Sequence, residues 1–299
     1  MEKKLLQQLS VQRKVLIAFY AVTIAAYVVA IVSVLVDLTV SLWIVNFTTL
    51  FYLFGVRRLD RLYNRAFAKA NLNLGSARNM MDVQVQNKGL ITRQELEQQA
   101  LFPTKSEGEG ILCGLGMTAC QGEQKIRVCE ITLYYPLPKS AAKRKVSLLD
   151  GVWLEIALPK DTGLHLVLVG KQVIDDSLYP SFYEKQNLKK IPLPEKIMRQ
   201  EYDLFGRESD TEQARQFARQ CMPLTDCARK NGNGLLVQIH SDRVCAFLNR
   251  KSLTFSTPIR EAVTAEVIQW DRLPELALLS AIGEYWSDRQ VSPVQKKIG

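Results

Sequence analysis

The chain is poor in the residues that most catalytic chemistry needs. Only two histidines, His165 and His240, occur in 299 residues. Neither lies in a ligand-spaced cluster with Cys, Asp or Glu, as a zinc site requires, so structural roles are expected: His165 in a strand, His240 near a hairpin turn. The six cysteines (113, 120, 129, 221, 227 and 245) include no C-x-x-C pair, which removes the zinc-ribbon and thioredoxin-type motifs. They read as buried thiols, reduced in a cytoplasmic setting. A Cys245–His240 nucleophile pair across a tight hairpin would need a base within reach and an electropositive site, and the buried thiol is the simpler reading. No G-x-S-x-G elbow is present. The run Gly108 to Gly116 lacks a G-K-[ST] ending and reads as a strand with turns, and Asp175-Asp176 as solvated acids. No internal repeat or low-complexity segment occurs, although Thr104 to Gly110 and the last ten residues look loose. No catalytic motif is found, which favours a non-enzyme without deciding the matter, and no catalytic residue, cofactor or metal is assigned.

Charge is missing too. Val15 to Val36 is 22 residues without a charge, and Leu38 to Val56 is 19 more, with Asp37 between them. About 20 apolar residues in a helix cross the hydrocarbon of a bilayer. Neither half contains proline, so each satisfies its own backbone hydrogen bonds in lipid. Asp37 belongs at a turn, because a carboxylate is costly at mid-membrane. A transmembrane helical hairpin, 15–36 and 38–56, is therefore expected. A cleaved signal peptide fits poorly: the apolar region is too long and has no clear small-residue cleavage site. A buried hairpin of a soluble protein would be striped rather than apolar all round. Hydroxyls at Thr23, Ser33, Ser41, Thr48 and Thr49, with Asn46, read as packing between helices rather than a transport path.

Lys3, Lys4, Arg13 and Lys14 precede the hairpin; Arg57, Arg58, Arg61, Arg65 and Lys69 follow it. The excess of cations on cytoplasmic flanks puts both termini in the cytoplasm and the protein in a bacterial inner membrane, multi-pass. Residues 1–78 carry ten Lys/Arg and three Asp/Glu, leaving 29 and 27 for 79–299 out of totals of 39 and 30. The formal charge of +9 thus splits as +7 and +2. The remainder is nearly neutral, with no electrostatic footprint for nucleic acid, and Lys143-Arg144-Lys145 reads as a solvated loop. The partners expected are the lipid bilayer and an unidentified protein, with a homo-oligomer also compatible.

Five segments result: a cytoplasmic N-terminus (1–14), the hairpin (15–56), basic amphipathic and connecting helices (57–105), an α+β soluble domain (106–288) and a C-terminal tail (289–299). In Arg57 to Gly75, Leu59, Leu62, Tyr63, Ala66, Phe67 and Ala70 recur at helical spacing. The cations Arg57, Arg58, Arg61, Arg65 and Lys69 are candidate membrane-surface contacts. Two readings stay open: a helix lying in the interface, or the second span continuing into the soluble domain. Met80 to Leu101 reads as helical, with a capping box at Thr92 and Glu95. Strands follow at Lys125 to Tyr135, Leu148 to Leu158 and Leu164 to Val169, the last two as a hairpin around Pro159 to Gly163. Asp175 to Pro194 reads as irregular loop and Glu201 to Phe205 as a short strand. Ser209 to Glu212 reads as a second capping box opening a helix with an apolar face of Ala214, Phe217, Ala218 and Cys221, kinked or ended by Pro223. A hairpin, Leu235 to His240 and Val244 to Leu248, turns at Ser241-Asp242. A final helix from Pro274 to about Trp286 turns Leu276, Leu279, Ile282 and Trp286 to the core.

The stretch Glu201 to Leu248, with its strand ending at Phe205, acidic helix start at Asp210, Ala214-Arg215 pair, Pro223 and following hairpin, resembles a bacterial domain-of-unknown-function family. Leu148 to Pro159 resembles that family's Gly-aromatic strand, and Cys113 to Cys129 departs from its pattern. The resemblance implies a membrane-anchored protein with a cytoplasmic α+β domain and carries no mechanism. The expected function is an interaction or scaffolding domain at the membrane. The alternatives are a membrane-associated enzyme acting on a lipid or membrane-proximal substrate, or a ligand sensor.

Overall fold

The computed structural model describes residues 2–86, 90–101, 110–136, 145–173, 179–193, 195–250 and 261–289. In chain order the helices are α1 (Glu2–Ser33), α2 (Leu38–Phe51), α3 (Arg57–Asn71), α4 (Arg93–Gln99), α5 (Tyr179–Glu184), α6 (Lys196–Glu201), α7 (Thr211–Lys230), α8 (Ala265–Gln269) and α9 (Pro274–Arg289). The strands are β1 (Met81–Gln86), β2 (Gly110–Gln121), β3 (Gln124–Pro136), β4 (Lys145–Ala157), β5 (His165–Gly170), β6 (Lys189–Ile191), β7 (Tyr202–Gly206), β8 (Gly234–His240) and β9 (Arg243–Asn249). The chain forms two compact units, one of Met1–Arg78 with Phe255–Arg272 and one of Asn79–Thr254 with Leu273–Gly299.

The first unit is a helical hairpin. Asp37 makes the turn and caps α2, its carboxylate accepting from the Thr39 amide at 2.7 Å. Antiparallel packing follows from the contacts: Ser41 Oγ donates to the Ala30 carbonyl at 2.7 Å, Tyr27 and Thr49 hydroxyls meet at 3.0 Å, and Phe19 stacks on Phe51. Two π-helical turns, Tyr52–Val56 and Leu72–Ser76, bracket α3, so one helical run extends from Leu38 to Ser76. Lys3–Ser33 and Leu38–Ser76 are each long and apolar enough to cross a membrane, and little of their most apolar stretches is buried. Farther along, Leu9 packs with Phe67, Ala70 and Ile268, and Leu16 with Val56 and Tyr63. The buried Asn71 amide donates to the Ile268 and Trp270 carbonyls at 2.8 and 2.9 Å, binding the end of α8 to α3.

The second unit is α+β: a nine-stranded antiparallel sheet in the order β1-β2-β3-β4-β9-β8-β5-β7-β6, with helices on both faces. Alternation decides which side chains face which layer. Val128, Leu154, Ala246, Val237 and Leu168 lie in one cross-strand row. They share the face covered by α7 and α9, whose Ala214, Phe217, Leu276 and Leu279 are fully or almost fully buried. On the other face Cys129, Trp153, Phe247, Val169 and Phe205 form a core with Leu96 of α4 and Tyr183 of α5. The buried Arg250–Glu275 ion pair, 2.7 Å, fastens the end of β9 to the first turn of α9.

Several expectations change. Met81–Gln86 is an edge strand, not helix; it is bulged between Met81 and Gln84, with Asp82 at φ 53°. The Thr92–Glu95 capping box does open α4. β4 and β5 are strands as expected but do not pair, because the β8–β9 hairpin lies between them. The supposed loop Asp175 to Pro194 contains α5 and β6. At the start of α7 no side chain caps the helix; a 3₁₀ turn, Glu208–Asp210, leads in instead. Pro223 neither ends nor splits α7: it lies on the exposed face of the helix, while Leu224 and Ala228 keep the next turn in the core. The β8–β9 hairpin, its Ser241-Asp242 turn and the buried face of α9 are as expected. Asp175-Asp176 and Lys143-Arg144 lie outside the described residues, as do Thr104 to Glu109 and the last ten residues.

Candidate functional site

The five cations singled out in the sequence share one helix. Arg57, Arg58, Arg61, Arg65 and Lys69 are all exposed on α3, while Tyr63, Phe67 and Ala70 are buried against other parts of the same unit. From Arg57 to Lys69 the helix climbs about 18 Å. On the hairpin before it, Val22, Ile24 and Ile31 of α1 and Trp43, Phe47 and Phe54 of the second helical run are exposed. An exposed apolar girdle therefore gives way abruptly to an exposed basic segment.

The second unit holds a polar groove that sequence reading did not find. It has a volume of about 420 Å³ and is lined by side chains from four neighbouring strands, β9 and α4. The register explains the convergence: Thr118 faces both Gln84 and Arg127, Arg127 faces Glu155, and Ala157 faces Arg243. Arg127 is fully engaged. Its Nε and Nη2 hold Glu155 at 2.8–3.0 Å, and its Nη1 reaches Glu95 at 2.7 Å. Glu155 is only 4% exposed, and it takes a further hydrogen bond from Arg243 Nη1 at 3.2 Å. Burial of charge on this scale is tolerated only when the partners satisfy one another. Burial opposes the Glu95 charge, but hydrogen bonds from Arg127 and Thr92 outweigh it and hold the carboxyl below its ordinary value. Burial likewise works against the Arg127 guanidinium, yet Glu95 and Glu155 keep its pKa raised. Lys125 and Asp82 are exposed at the rim, and neither has a partner among the described residues.

A smaller cavity of about 200 Å³, sharing Glu95 and Arg243, is lined by Gln98, Gln99, His240, Ser241 and Asp242. Here the two histidines meet. His165 and His240 face each other across β5 and β8, rings stacked with centroids 4.2 Å apart. The Gln238 amide nitrogen donates to the Gln99 carbonyl at 2.8 Å and meets His165 Nε2 at 2.9 Å, so that ring nitrogen is an acceptor and carries no proton. Burial, then repulsion from His240 and Arg207, push the His165 pKa down to about 3; burial also lowers that of His240. Cys245 gives its thiol to Gln99 Oε1 at 3.5 Å, and burial pushes its pKa well up. Cys245 is thus a protonated core thiol. No group of three or more metal-ligating side chains occurs among the described residues.

What this arrangement does well is hold shape and present hydrogen-bonding groups. The groove's buried acids and bases are spent on one another, which suits recognition better than proton transfer. The signal in the sequence was Glu155, an acid between Leu154 and Ile156 in a strand buried on both faces; such a position calls for a cation, but its partners lie 28 and 88 residues away.

Fold and groove together define an α+β protein with a long apolar helical hairpin. No protein-family profile matches the chain, and no curated protein does. Among solved structures it is similar to the crystal structure of the mycobacterial trehalose monomycolate transport factor A, over 73% of this chain and 94% of that one, at 8% identity and a TM-score of 0.35. At that depth the likeness carries no argument about function.

Proposed function

We propose that this is a two-pass inner-membrane protein, both termini cytoplasmic, that presents its α+β unit as an interaction module for a protein partner. The observation that carries it is the exposed apolar hairpin ending at an exposed basic helix. Apolar side chains such as Ile31 and Phe54 need hydrocarbon around them, and the cations that begin at Arg57 match a cytoplasmic flank. Because α3 continues the second span as one helical run, its cations form a ladder. Arg57, Arg58 and Arg61 fall within about 7.5 Å of Val56, the end of the apolar run, inside the Debye length of about 8 Å, where each adds about 1 kcal/mol of attraction to anionic lipid. Lys69 stands beyond that reach. The layout is the one expected of the membrane-anchored bacterial family that the sequence resembles.

Reporter fusions with membrane fractionation test the topology: both ends should report cytoplasmic, and an extracytoplasmic Gly299 would overturn it. Crosslinked affinity purification from native membranes tests the partner, and repeated failure to recover a reproducible protein would count against the interaction module. A second reading, a ligand sensor, is favoured by the groove alone: about 420 Å³ lies in the range of small-molecule sites. Ligand-dependent thermal shifts would separate it from a passive scaffold.

A further inference from the structure

Cys113 and Cys129 sit on adjacent strands, on the face that packs beneath α4. Cys113 pairs with Ile131 and Cys129 with Gly116, and a bulge in β2 takes up one extra residue between them. The two thiols are therefore diagonal neighbours on one face of the sheet. Cys129 is completely buried, whereas Cys113 is partly exposed. Cys113 Sγ also lies 3.0 Å from the Ile91 carbonyl, one residue before the Thr92 cap of α4. A partly exposed thiol poised beside a buried second thiol is the arrangement of reversible redox sites.

We propose that Cys113 and Cys129 form a dithiol site oxidised by hydroperoxides, Cys113 reacting first and Cys129 closing the disulfide. The Cys113 thiolate attacks one peroxide oxygen and the O–O bond breaks. The other oxygen leaves with a proton as water or an alcohol, and Cys113 becomes a sulfenic acid. The Cys129 sulfur then loses its proton and attacks Cys113 sulfur; the S–O bond breaks and water departs. Two thiols and one hydroperoxide thus give one disulfide, one water and one alcohol or second water, with two electrons passing from sulfur to oxygen. A dithiol reductant reverses the step by exchange. Closing the bond removes the S–H that now points at the Ile91 carbonyl, at the root of the helix whose Glu95 clamps Arg127.

Electrostatics agree with the order of events. The neighbouring Cys129 thiol is the chief reason the Cys113 pKa is pulled down to about 7, against burial and the Glu95 charge. The neighbouring Cys113, burial and the Glu130 charge push Cys129 up, with Arg127 opposing.

The test uses the full chain in native membrane vesicles. One equivalent of hydrogen peroxide at pH 7, N-ethylmaleimide blocking and peptide mass mapping should yield the Cys113–Cys129 linkage. Cys113→Ser should abolish it, and Cys129→Ser should leave a sulfenic acid at Cys113 that dimedone traps. In the unoxidised wild type, iodoacetamide should label the partly exposed Cys113 faster than the buried Cys129, Cys221 and Cys245. Oxidation confined to Cys120 or Cys227, dimedone labelling absent from Cys129→Ser, or equal alkylation rates would each overturn the proposal. Because the labelling compares cysteines within one folded wild-type chain, a variant that fails to fold leaves the test intact.

Discussion

Acid should destabilise this protein through one histidine, well before its carboxylates protonate. His165 is 6% exposed, its Nε2 faces the Gln238 amide, and its pKa falls from an ordinary 6.5 to about 3. In the folded state the ring stays neutral down to about pH 3. In the unfolded chain it takes up a proton below 6.5. Between these values the unfolded state binds more protons, so stability falls as pH falls, by about 1.4 kcal/mol per unit. From pH 6.5 to 4.5 the loss from this residue alone is about 2–3 kcal/mol. Urea unfolding of the detergent-solubilised full chain across pH 4.5–7.5, compared between wild type and His165→Gln, isolates it, because every other group titrates in both. The wild type should show the steeper slope. With only two histidines in the sequence, the imidazole Cε1 proton resonances give a direct check. A His165 resonance titrating with a midpoint near 6.5, or parallel slopes for the two proteins, would refute the reasoning.

Other outcomes follow from the groove, the sheet and the helices. Arg127→Met leaves Glu155 buried with Arg243 alone, and should cost about 3–5 kcal/mol of unfolding free energy in chemical denaturation; adding Glu155→Leu should restore much of it. Gly151→Ala drives a methyl into the Leu248 carbonyl oxygen and to 2.7 Å from the Phe247 ring, so expression of folded protein should collapse. Gly122→Ala, in open space at φ 58°, should lose only about 1–2 kcal/mol, read by thermal unfolding. Neutralising Arg57, Arg58, Arg61, Arg65 and Lys69 together should give mixed orientation in reporter fusions; an unchanged single orientation would mean the N-terminal cations suffice.

Local chemistry was readable in the sequence, and distant pairing was not. Asp37 between two apolar runs, the Thr92–Glu95 box, the Ser241-Asp242 turn and the Leu276–Leu279–Ile282–Trp286 face each depend on residues a few positions apart, and each appears where expected. β1 was missed because its alternation involves only Val83 and Val85 among polar neighbours, which suits an exposed edge strand and gives little apolar signal. Pro223 was misjudged because a proline's cost depends on whether the freed carbonyl reaches water, a property of the tertiary structure. The β4–β5 hairpin was inferred from adjacency and a plausible turn; nothing local announces that a later hairpin will displace it. The groove stayed hidden for the same reason, since Glu95, Arg127, Glu155 and Arg243 belong to α4, β3, β4 and β9 and meet only through the register.

The position of that later hairpin sets a timetable for synthesis. β2, β3 and β4 are sequential neighbours and can zip together as they leave the ribosome. The free edge of β4 then waits for β9, whose last residue, Asn249, comes 92 residues after Ala157. At roughly 5–20 residues per second that is a delay of about 5–18 s. Through it, the apolar edge of β4 stands open, and β5, which gains β7 once Gly206 has emerged, still lacks β8 on its other edge; both edges are open to mispairing with another nascent chain. Val237, Ile239, Val244 and Phe247 arrive last and close both edges at once. A ribosome pausing before Gly234 would prolong the hazard, and one pausing after the hairpin has emerged would not.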